Sequence, residues 1–211
     1  MQKPENIEQE NTLSVLVTKQ APDFISSAIL DDGSIVDDFQ LSKFKGRKIV
    51  LFFYPLDFTF VCPSEILAHH KRVKAFDERN TMLIGVSIDS KHTHNAWRNT
   101  NINDGGIGAI DFPLVSDMNH SIMSSYGIEH PEGTALRASF LIDENFVIRH
   151  QVVNDHPLGR NVDEMLRMVD ALDFHTENGE VCPAEWIKGD DGMNESAQSV
   201  AEYLSKNADN L

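Results

Sequence analysis

Two long apolar runs constrain the fold of this chain more than any other feature of its sequence. The first covers residues 49–54 and reads I-V-L-F-F-Y, and the second covers residues 82–88 and reads M-L-I-G-V-S-I. Continuous apolar runs of this length predict strands that are buried on both faces of a sheet. Between them, apolar residues recur with helical spacing from Ile66 to Phe76, which predicts a helix over about residues 63–79.

The rest of the chain continues this alternation of strands and helices. Asp31-Asp32-Gly33 predicts the turn of a hairpin, because glycine adopts a positive φ at little cost. We expect the other elements at these positions: hairpin strands at 25–30 and 34–36, a strand at 112–115, strands at 138–142 and 147–153, and helices at about 89–99, 116–125, 161–174 and 195–206.

In the predicted order of elements, strands alternate with helices, and the order ends with a hairpin followed by a helix. This order predicts one α/β domain. We expect a central mixed β-sheet flanked by helices on both faces. The chain divides into a flexible N-terminal extension over residues 1–12, the domain itself over residues 13–175, and a C-terminal arm with a terminal helix over residues 176–211. The first segment is polar and has little to bury.

Charge and hydropathy exclude several function classes. The net charge of −15 would repel phosphates, so nucleic acid is not an expected partner. No stretch approaches the roughly 20 apolar residues of a membrane-spanning helix. The N-terminus, M-Q-K-P-E-N-I-E-Q-E-N, has no apolar core of a secretory signal. We therefore expect a cytoplasmic protein whose two cysteines are not a structural disulfide framework.

The first cysteine, Cys62, lies between a predicted strand and a predicted helix. Pro63 suits the first position of that helix because proline has no N–H to satisfy. The partial positive charge and unpaired N–H groups of a helix N-terminus favour a thiolate, which is the reactive form of cysteine. Glu65 is placed to complete a capping box. The alternative is that Cys62 is an inert, buried thiol, as most free cysteines are.

Two neighbours of Cys62 favour the reactive interpretation. Thr59 lies three residues earlier, and in a tight turn its hydroxyl can point at the sulfur and form hydrogen bonds with it. Pro55 ends the strand and stiffens the entry to the loop. Ordinary turn chemistry would explain Thr59 and Pro55 equally well if each stood alone.

The complete pattern, P-x-x-x-T-x-x-C from Pro55 to Cys62, resembles the signature of the peroxiredoxins. The wider block D-F-T-F-V-C-P-S-E is similar to the D-F-T-F-V-C-P-T-E of typical 2-Cys peroxiredoxins, such as the peroxidase component of bacterial alkyl hydroperoxide reductase, with Ser64 in place of threonine. The resemblance extends over about residues 15–206. It implies a thioredoxin-like fold, in agreement with the order of predicted elements.

The resemblance assigns roles to residues far from the loop. Arg137, in T-A-L-R-A-S-F, matches the catalytic arginine of the family and would bring a cation to the thiolate. Arg149, in V-I-R-H-Q, is matched to a second arginine that links with Glu65. Cys182, in G-E-V-C-P-A-E-W, matches the segment that carries the resolving cysteine. Composition and spacing alone would leave Arg137 and Arg149 as solvated charges at strand ends.

The function implied by the resemblance is a thiol-dependent peroxidase. Cys62 would become a sulfenic acid on reaction with hydrogen peroxide or an organic hydroperoxide and then form a disulfide with Cys182. In the family this disulfide joins two subunits, whereas the sequence itself also allows an intrachain bridge. A thioredoxin-like or flavoprotein-linked dithiol reductant would reduce it. The family also implies a homodimer that assembles into a ring, expected to be a decamer.

No cofactor and no metal are expected. His69, His70, His92 and His94 lie near predicted helices, but the sequence has neither H-E-x-x-H nor C-x-x-C. The lack of C-x-x-C also argues against the first competing function, a thiol–disulfide oxidoreductase of thioredoxin type. The second competing function is an oligomeric holdase chaperone, which could accompany or replace the peroxidase activity.

Two further segments bear on overoxidation of the reactive cysteine. In the family, a G-G-L-G loop and a C-terminal Y-F pair pack over the site and slow disulfide formation. Here the loop reads G-G-I-G at residues 105–108, and the pair is replaced by Tyr203-Leu204. We therefore predict intermediate sensitivity to oxidation beyond the sulfenic acid.

Overall fold

The computed structural model describes residues 15–210, and in this part of the chain seven strands form one mixed sheet. The strands are β1 (Ile25–Ile29), β2 (Ile35–Gln40), β3 (Lys48–Phe53), β4 (Thr81–Ser87), β5 (Leu114–Ser116), β6 (Arg137–Ile142) and β7 (Ile148–Asn154). Their order in the sheet is β2-β1-β5-β4-β3-β6-β7. The predicted mixed sheet and thioredoxin-like fold are confirmed.

The described part of the chain also contains six α-helices. They are α1 (Cys62–His70), α2 (Val73–Asp77), α3 (Lys91–Arg98), α4 (Ser121–Ser125), α5 (Val162–Asn178) and α6 (Ala197–Asn207). Short 3-10 turns occur at Leu41–Phe44, Ile102–Asp104 and Ala208–Asn210. Among the described residues, no helix is long and apolar enough to span a membrane.

Strand β3 lies at the centre of the core, because all six of its residues are buried. It pairs in parallel with β4 and antiparallel with β6. Alternate side chains of a strand point to opposite faces, so Leu51 and Phe53 belong to one apolar cluster and Val50 and Phe52 to the other. This arrangement explains the continuous apolar run, and it fixes the end of β3 rigidly where the loop to Cys62 begins.

The predicted hairpin is present, with β1 and β2 antiparallel and Gly33 at a φ of 84° in the turn. Strand β2 is longer than expected and continues to Gln40. The predicted strand at 112–115 is shifted to Leu114–Ser116. The other strand predictions agree with the structure to within one residue at each end.

Two predicted helices are broken or shortened in the structure. The helix expected over 63–79 is broken into α1 and α2, because Arg72 has a φ of −111° and is held by two hydrogen bonds to Asp163 at 2.5 and 2.6 Å. The helix expected over 116–125 is reduced to α4. Ahead of it, His120 has a φ of 62°, and the carboxylate of Asp117 accepts hydrogen bonds from two N–H groups of the helix at 2.8 and 2.9 Å.

The C-terminal segment packs on the domain at few points. Helix α5 continues to Asn178, four residues beyond its predicted end, and Gly179 closes it at a φ of 70°. Val181 and Met193 then form an isolated antiparallel bridge, and Trp186 is buried against Phe174. Helix α6 has no buried residue. The predicted N-terminal extension, residues 1–12, lies outside the described part of the chain.

Candidate active site

Cys62 is the first residue of α1, and Pro63 occupies the second position rather than the predicted first. The loop that leads to it begins at Pro55, which is buried directly after β3, and passes through Phe58 at a φ of 52°. The side chain of Cys62 is completely buried. The fold therefore presents this sulfur at the helix N-terminus, where partial positive charge favours an anion.

Thr59 contacts the sulfur directly. Its Oγ1 lies 3.0 Å from Cys62 Sγ and 2.7 Å from the main-chain oxygen of Leu56. A hydroxyl has one proton, so Thr59 can donate to only one of these two atoms at a time. Donation to Leu56 suits the protonated thiol, which can then donate to Oγ1. Donation to Sγ suits the thiolate. The hydroxyl can therefore follow the protonation state of Cys62.

Arg137, at the start of β6, brings a cation to the same sulfur. Its Nη1 lies 3.4 Å from Cys62 Sγ and 2.7 Å from Glu65 Oε2, and its Nε donates to the main-chain oxygen of His156 at 2.6 Å. Burial alone would lower the pKa of Arg137, but its contacts with Cys62 and Glu65 raise that pKa overall. The guanidinium is held in place on two sides and stays charged.

Glu65 is held by two arginines. Its carboxylate accepts hydrogen bonds from the main-chain N, Nε and Nη2 of Arg160 at 2.8–2.9 Å, in addition to the bond from Arg137. Burial would raise the pKa of Glu65, but the bonds and charges of Arg160 and Arg137 lower it overall. Because both oxygens are used in this way, the predicted capping box is wrong. Glu65 is instead a buried anion that orients Arg137.

The predicted link between Arg149 and Glu65 is also wrong. Arg149 pairs with Asp143 at 3.2 Å, and its side chain is 38% exposed. The register of β6 and β7 gives the reason, since Arg137 lies opposite Asn154 at one end and Ile142 lies opposite Ile148 at the other. At about 3.4 Å per residue, Arg149 is roughly 15 Å along the sheet from the arginine that contacts Cys62.

The sequence alone assigns no role to Arg160, which ends the polar stretch N-D-x-P-x-G-R before α5. The side chain of Arg160 is 3% exposed and also donates to the main-chain oxygen of Ala138 at 2.6 Å. A buried arginine needs several acceptors, and the two carboxylate oxygens of Glu65 provide part of the set, together with the main-chain oxygen of Ala138 and Ser139 Oγ. The available signal was this stretch itself, Asn154 to Arg160, which also resembles the peroxiredoxins.

A second buried polar group fixes the loop before Cys62. Tyr54 donates from its hydroxyl to Asp57 Oδ1 at 2.8 Å, and His94 Nδ1 lies 2.7 Å from Asp57 Oδ2. The main-chain N of Asp57 donates to Asp89 at 2.8 Å. Burial raises the pKa of Asp57, and the hydrogen bond from His94 opposes that rise. These contacts anchor the loop to β4 and α3 and so hold Thr59 and Cys62 at the start of α1.

Cys182 lies in a different environment. Both cysteines are free thiols, and Cys182 is only partly buried. Its Sγ donates to the main-chain oxygen of Ala171 in α5 at 3.5 Å, a weak hydrogen bond. It borders a cavity of about 240 Å³ together with Arg149 and His175. Burial raises the pKa of Cys182 above its usual value, and Arg167 partly offsets this.

Three of the histidines considered as metal ligands have other contacts. His69 stacks on Phe52, with ring centroids 4.0 Å apart, and its Nδ1 lies 2.7 Å from the main-chain oxygen of Glu65. Burial lowers the pKa of His69 to about 3, so its ring is neutral at physiological pH. His94 is bonded to Asp57, and His70 Nδ1 accepts from the main-chain N of Asp111 at 3.3 Å. His92 is exposed.

The sequence of this chain matches known protein families. The model of the AhpC/TSA family matches residues 17–151, and the model of the C-terminal domain of 1-Cys peroxiredoxin matches residues 171–206. Alkyl hydroperoxide reductase C of Buchnera aphidicola is 59% identical over 91% of this chain and 98% of that protein. The Helicobacter pylori protein of the same name is 55% identical over 92% and 98%.

Solved structures agree with these sequence relatives. The reduced 2-Cys peroxiredoxin of Plasmodium vivax superposes with a TM-score of 0.88 at 47% identity, over 90% of this chain and 99% of that one. The family model covers more than half of the chain, and the identities with whole relatives exceed half of the aligned residues. The chain therefore belongs to the AhpC/TSA family of peroxiredoxins, and its function is that of a thiol-dependent peroxidase.

Proposed function

We propose that this peroxidase works by a two-cysteine cycle in which Cys62 is oxidised by the peroxide and Cys182 resolves the product. The observation that carries the proposal is the set of donors around Cys62 Sγ, with Thr59 Oγ1 at 3.0 Å and Arg137 Nη1 at 3.4 Å. The polar contact of Cys182 Sγ is instead with a main-chain oxygen, which is an acceptor and does not stabilise a thiolate.

In the first step the Cys62 thiolate attacks one oxygen of the peroxide. An S–O bond forms, the O–O bond breaks, and the departing oxygen takes a proton and leaves as water or an alcohol. Negative charge grows on that oxygen in the transition state, where donors from Arg137 and Thr59 stabilise it most. Glu65 and Arg160 act indirectly, because they hold the guanidinium of Arg137 in position.

In the second step the thiol of Cys182 attacks the sulfur of the Cys62 sulfenic acid. An S–S bond forms, the S–O bond breaks, and water leaves. Cys62 is buried in the first turn of α1, whereas Cys182 packs on α5, so at least one of the two segments must open locally for the sulfurs to meet. A thioredoxin-like or flavoprotein-linked dithiol reductant then restores both thiols by exchange.

We further propose that the disulfide joins two subunits of a homodimer and that dimers form a decameric ring in the cytoplasm. Exposed apolar side chains support association near the reactive loop, because Phe60 is 97% exposed and Phe58 50% exposed directly before Cys62. Such neighbouring apolar residues favour contact with another protein surface. The holdase alternative receives no support from the comparisons.

The test of the cycle compares two matched serine variants. Cys62→Ser should abolish peroxide consumption. Cys182→Ser should consume about one equivalent of peroxide per chain and then stop, because one thiol accepts one oxygen. The product should be a sulfenic acid at Cys62, which dimedone traps. Stopped-flow consumption of hydrogen peroxide and of an organic hydroperoxide measures both. Normal turnover of Cys182→Ser with a dithiol protein would contradict the two-cysteine cycle.

A further inference from the structure

A pair of histidines lies outside the chemistry described so far. His130 follows α4, His156 follows β7, and their ring centroids are 4.1 Å apart with an interplanar angle of 33°. The carboxylate of Glu132 lies beside them, and one ligand atom from each of the three residues lies within 4.8 Å of the others. We propose that His130, Glu132 and His156 form a binding site for a divalent transition-metal ion of the zinc class.

The main chain holds His130 firmly in place. His130 N donates to the main-chain oxygen of Thr134 at 2.8 Å, and Gly133 N donates back to the oxygen of His130 at 2.8 Å. Glu129 and Ala135 form an antiparallel bridge that closes this hairpin. The turn therefore presents His130 and Glu132 from a backbone that is already ordered, which reduces the entropy lost when a metal binds.

His156 is held from a second direction. Its main-chain oxygen accepts the hydrogen bond from Arg137 Nε at 2.6 Å, and its main-chain N donates to Asp155 Oδ1 at 2.7 Å. The two rings thus come from separate segments, one before β6 and one after β7. A metal ion between them would join these two segments at His156, whose main-chain oxygen also accepts a hydrogen bond from Arg137.

The contacts of the His156 ring favour a ligand role. Nε2 lies 3.2 Å from the main-chain oxygen of Ala135 and 3.3 Å from Thr134 Oγ1, and the N–H of a neutral imidazole can donate to the carbonyl. That tautomer leaves Nδ1 with a free lone pair. Histidines that bind metals almost always donate their other N–H to a carbonyl or carboxylate in this way. The Ala135 carbonyl is therefore a ready outer partner for a metal-bound His156.

Metal binding requires only a small rearrangement. Zinc–nitrogen bonds of 2.0–2.1 Å place tetrahedral ligand atoms about 3.3 Å apart. The three ligand atoms here lie within 4.8 Å of one another, so they must approach by up to roughly 1.5 Å on this geometry. Glu132 is exposed and free to turn inward. His130 Nδ1 accepts from the N–H of Glu132 at 3.2 Å, a long bond that water can replace at this exposed position.

The ligand set determines the class of metal. Two imidazole nitrogens and one carboxylate suit zinc and its transition-metal neighbours, whereas calcium and magnesium prefer oxygen ligands alone. The net charge of −15 attracts cations in general. Arg137, which donates to the main-chain oxygen of His156, is compensated by Glu65 at 2.7 Å. Three protein ligands leave a fourth position for water.

The sequence does not reveal this site. The histidines at 69, 70, 92 and 94 and the missing metal motifs predicted no metal binding. The proposed ligands are instead an H-x-E triplet and one distant histidine. Only the antiparallel pairing of β6 with β7 brings the residues before β6 close to those after β7.

The experiment is calorimetric titration of the full-length chain with Zn²⁺ at neutral pH. Cys62→Ser and Cys182→Ser are combined as the background, because free thiolates also bind zinc. We expect one Zn²⁺ per chain, and binding weakened at least about tenfold by His130→Gln or by His156→Gln, as for loss of one ligand. His92→Gln is the matched control for an exposed histidine elsewhere and should bind as the background does.

Glu132→Gln is a further variant in case a histidine variant fails to fold. Glu132 is exposed, so its replacement should not disturb folding. It should also weaken binding, and Zn²⁺ should raise the melting temperature of the background but not that of the weakened variants. Two results would overturn the proposal. One is no binding by the background at about 100 µM Zn²⁺, where a site of this kind should be occupied. The other is unchanged affinity in the His130, His156 and Glu132 variants.

Discussion

The two cysteines of this chain occupy opposite kinds of environment. Cys62 is completely buried. Its sulfur is contacted by the Thr59 hydroxyl at 3.0 Å, from the anchored loop, and by the Arg137 guanidinium at 3.4 Å, from β6. Cys182 is partly exposed in the C-terminal arm and has one hydrogen bond, at 3.5 Å. Helix α6, in the same arm, has no buried residue.

This difference assigns a separate task to each sulfur. Stabilising a transition state requires donors that are in place before the reaction begins, and the surroundings of Cys62 provide them. Forming a disulfide between distant positions requires a segment that opens at low cost, and the loosely packed arm provides that. Rigidity at Cys62 and weak attachment at Cys182 are therefore complementary parts of one cycle.

Hydrogen exchange should show the largest difference between the two regions. We expect the amides of α6 and of residues 181–193 to exchange about a thousandfold faster than those of β3, or more, because local opening costs far less than global unfolding. β3 pairs on both sides and is fully buried. The arm instead contacts α5 mainly through Trp186, which packs on Phe174 and accepts a hydrogen bond from Arg167, and through the ion pair of Lys188 with Asp170. Mass spectrometry of peptides measures both. Equal protection in the two regions would remove the asymmetry between the two cysteines.

Arg137→Gln tests the rigid side of the comparison. It should slow the reaction of Cys62 with hydrogen peroxide by about 10²–10³-fold, the usual effect of removing one preorganised donor. Rapid-quench measurement in the Cys182→Ser background isolates this step. Arg149→Gln is the matched control and should change the rate by less than about twofold, because Arg149 pairs with Asp143 at the surface. Equal effects of the two variants would contradict the placement of Arg137.

Thr59→Val tests the hydroxyl beside the same sulfur. A hydrogen bond to a charged group contributes about 1.5–3 kcal/mol, which corresponds to a tenfold to hundredfold slower first step. Thr59→Ser keeps the hydroxyl and should retain most of the rate. If Thr59→Val reacts as fast as the wild-type chain, the 3.0 Å contact with Cys62 has no role in the chemistry.

A smaller effect is expected at Cys182. Because burial raises its pKa above the usual value near 9, Cys182 should be mostly protonated at neutral pH in the folded chain. In Cys62→Ser, its alkylation by iodoacetamide at pH 8 should be a few-fold slower than in the same chain in urea, and the titration midpoint of the folded chain should lie at higher pH. Identical midpoints would show that the arm leaves Cys182 fully solvated.

The sequence predicted the central part of the fold well, for a physical reason. The apolar runs of β3 and β4 are six to seven residues long and buried on both faces, which favours strands over helices of that length. Predictions failed where single side chains override periodicity. Arg72 breaks the long helix through its bonds to Asp163, and Asp117 delays the start of α4. Such tertiary contacts leave no periodic trace in the sequence.

The site was predictable in part for a similar reason. Thr59 and Cys62 lie on one tight turn, so their contact follows from local spacing. The partner of Glu65 depends instead on the register of β6 and β7, which places Arg160 near Cys62 and Arg149 near the opposite end of the sheet. A one-dimensional pattern does not contain that register, so the sequence predicts Arg149 as the partner of Glu65 where the structure has Arg160.

Non-reducing electrophoresis after brief treatment with peroxide is the decisive test of whether Cys62 and Cys182 form a disulfide between two chains. We predict a dimer band that disappears on reduction and is missing in both Cys62→Ser and Cys182→Ser, with a peptide containing both cysteines identified by mass spectrometry. A wild-type chain that remains monomeric while it turns over peroxide, or a dimer that persists in either variant, would contradict the intersubunit disulfide.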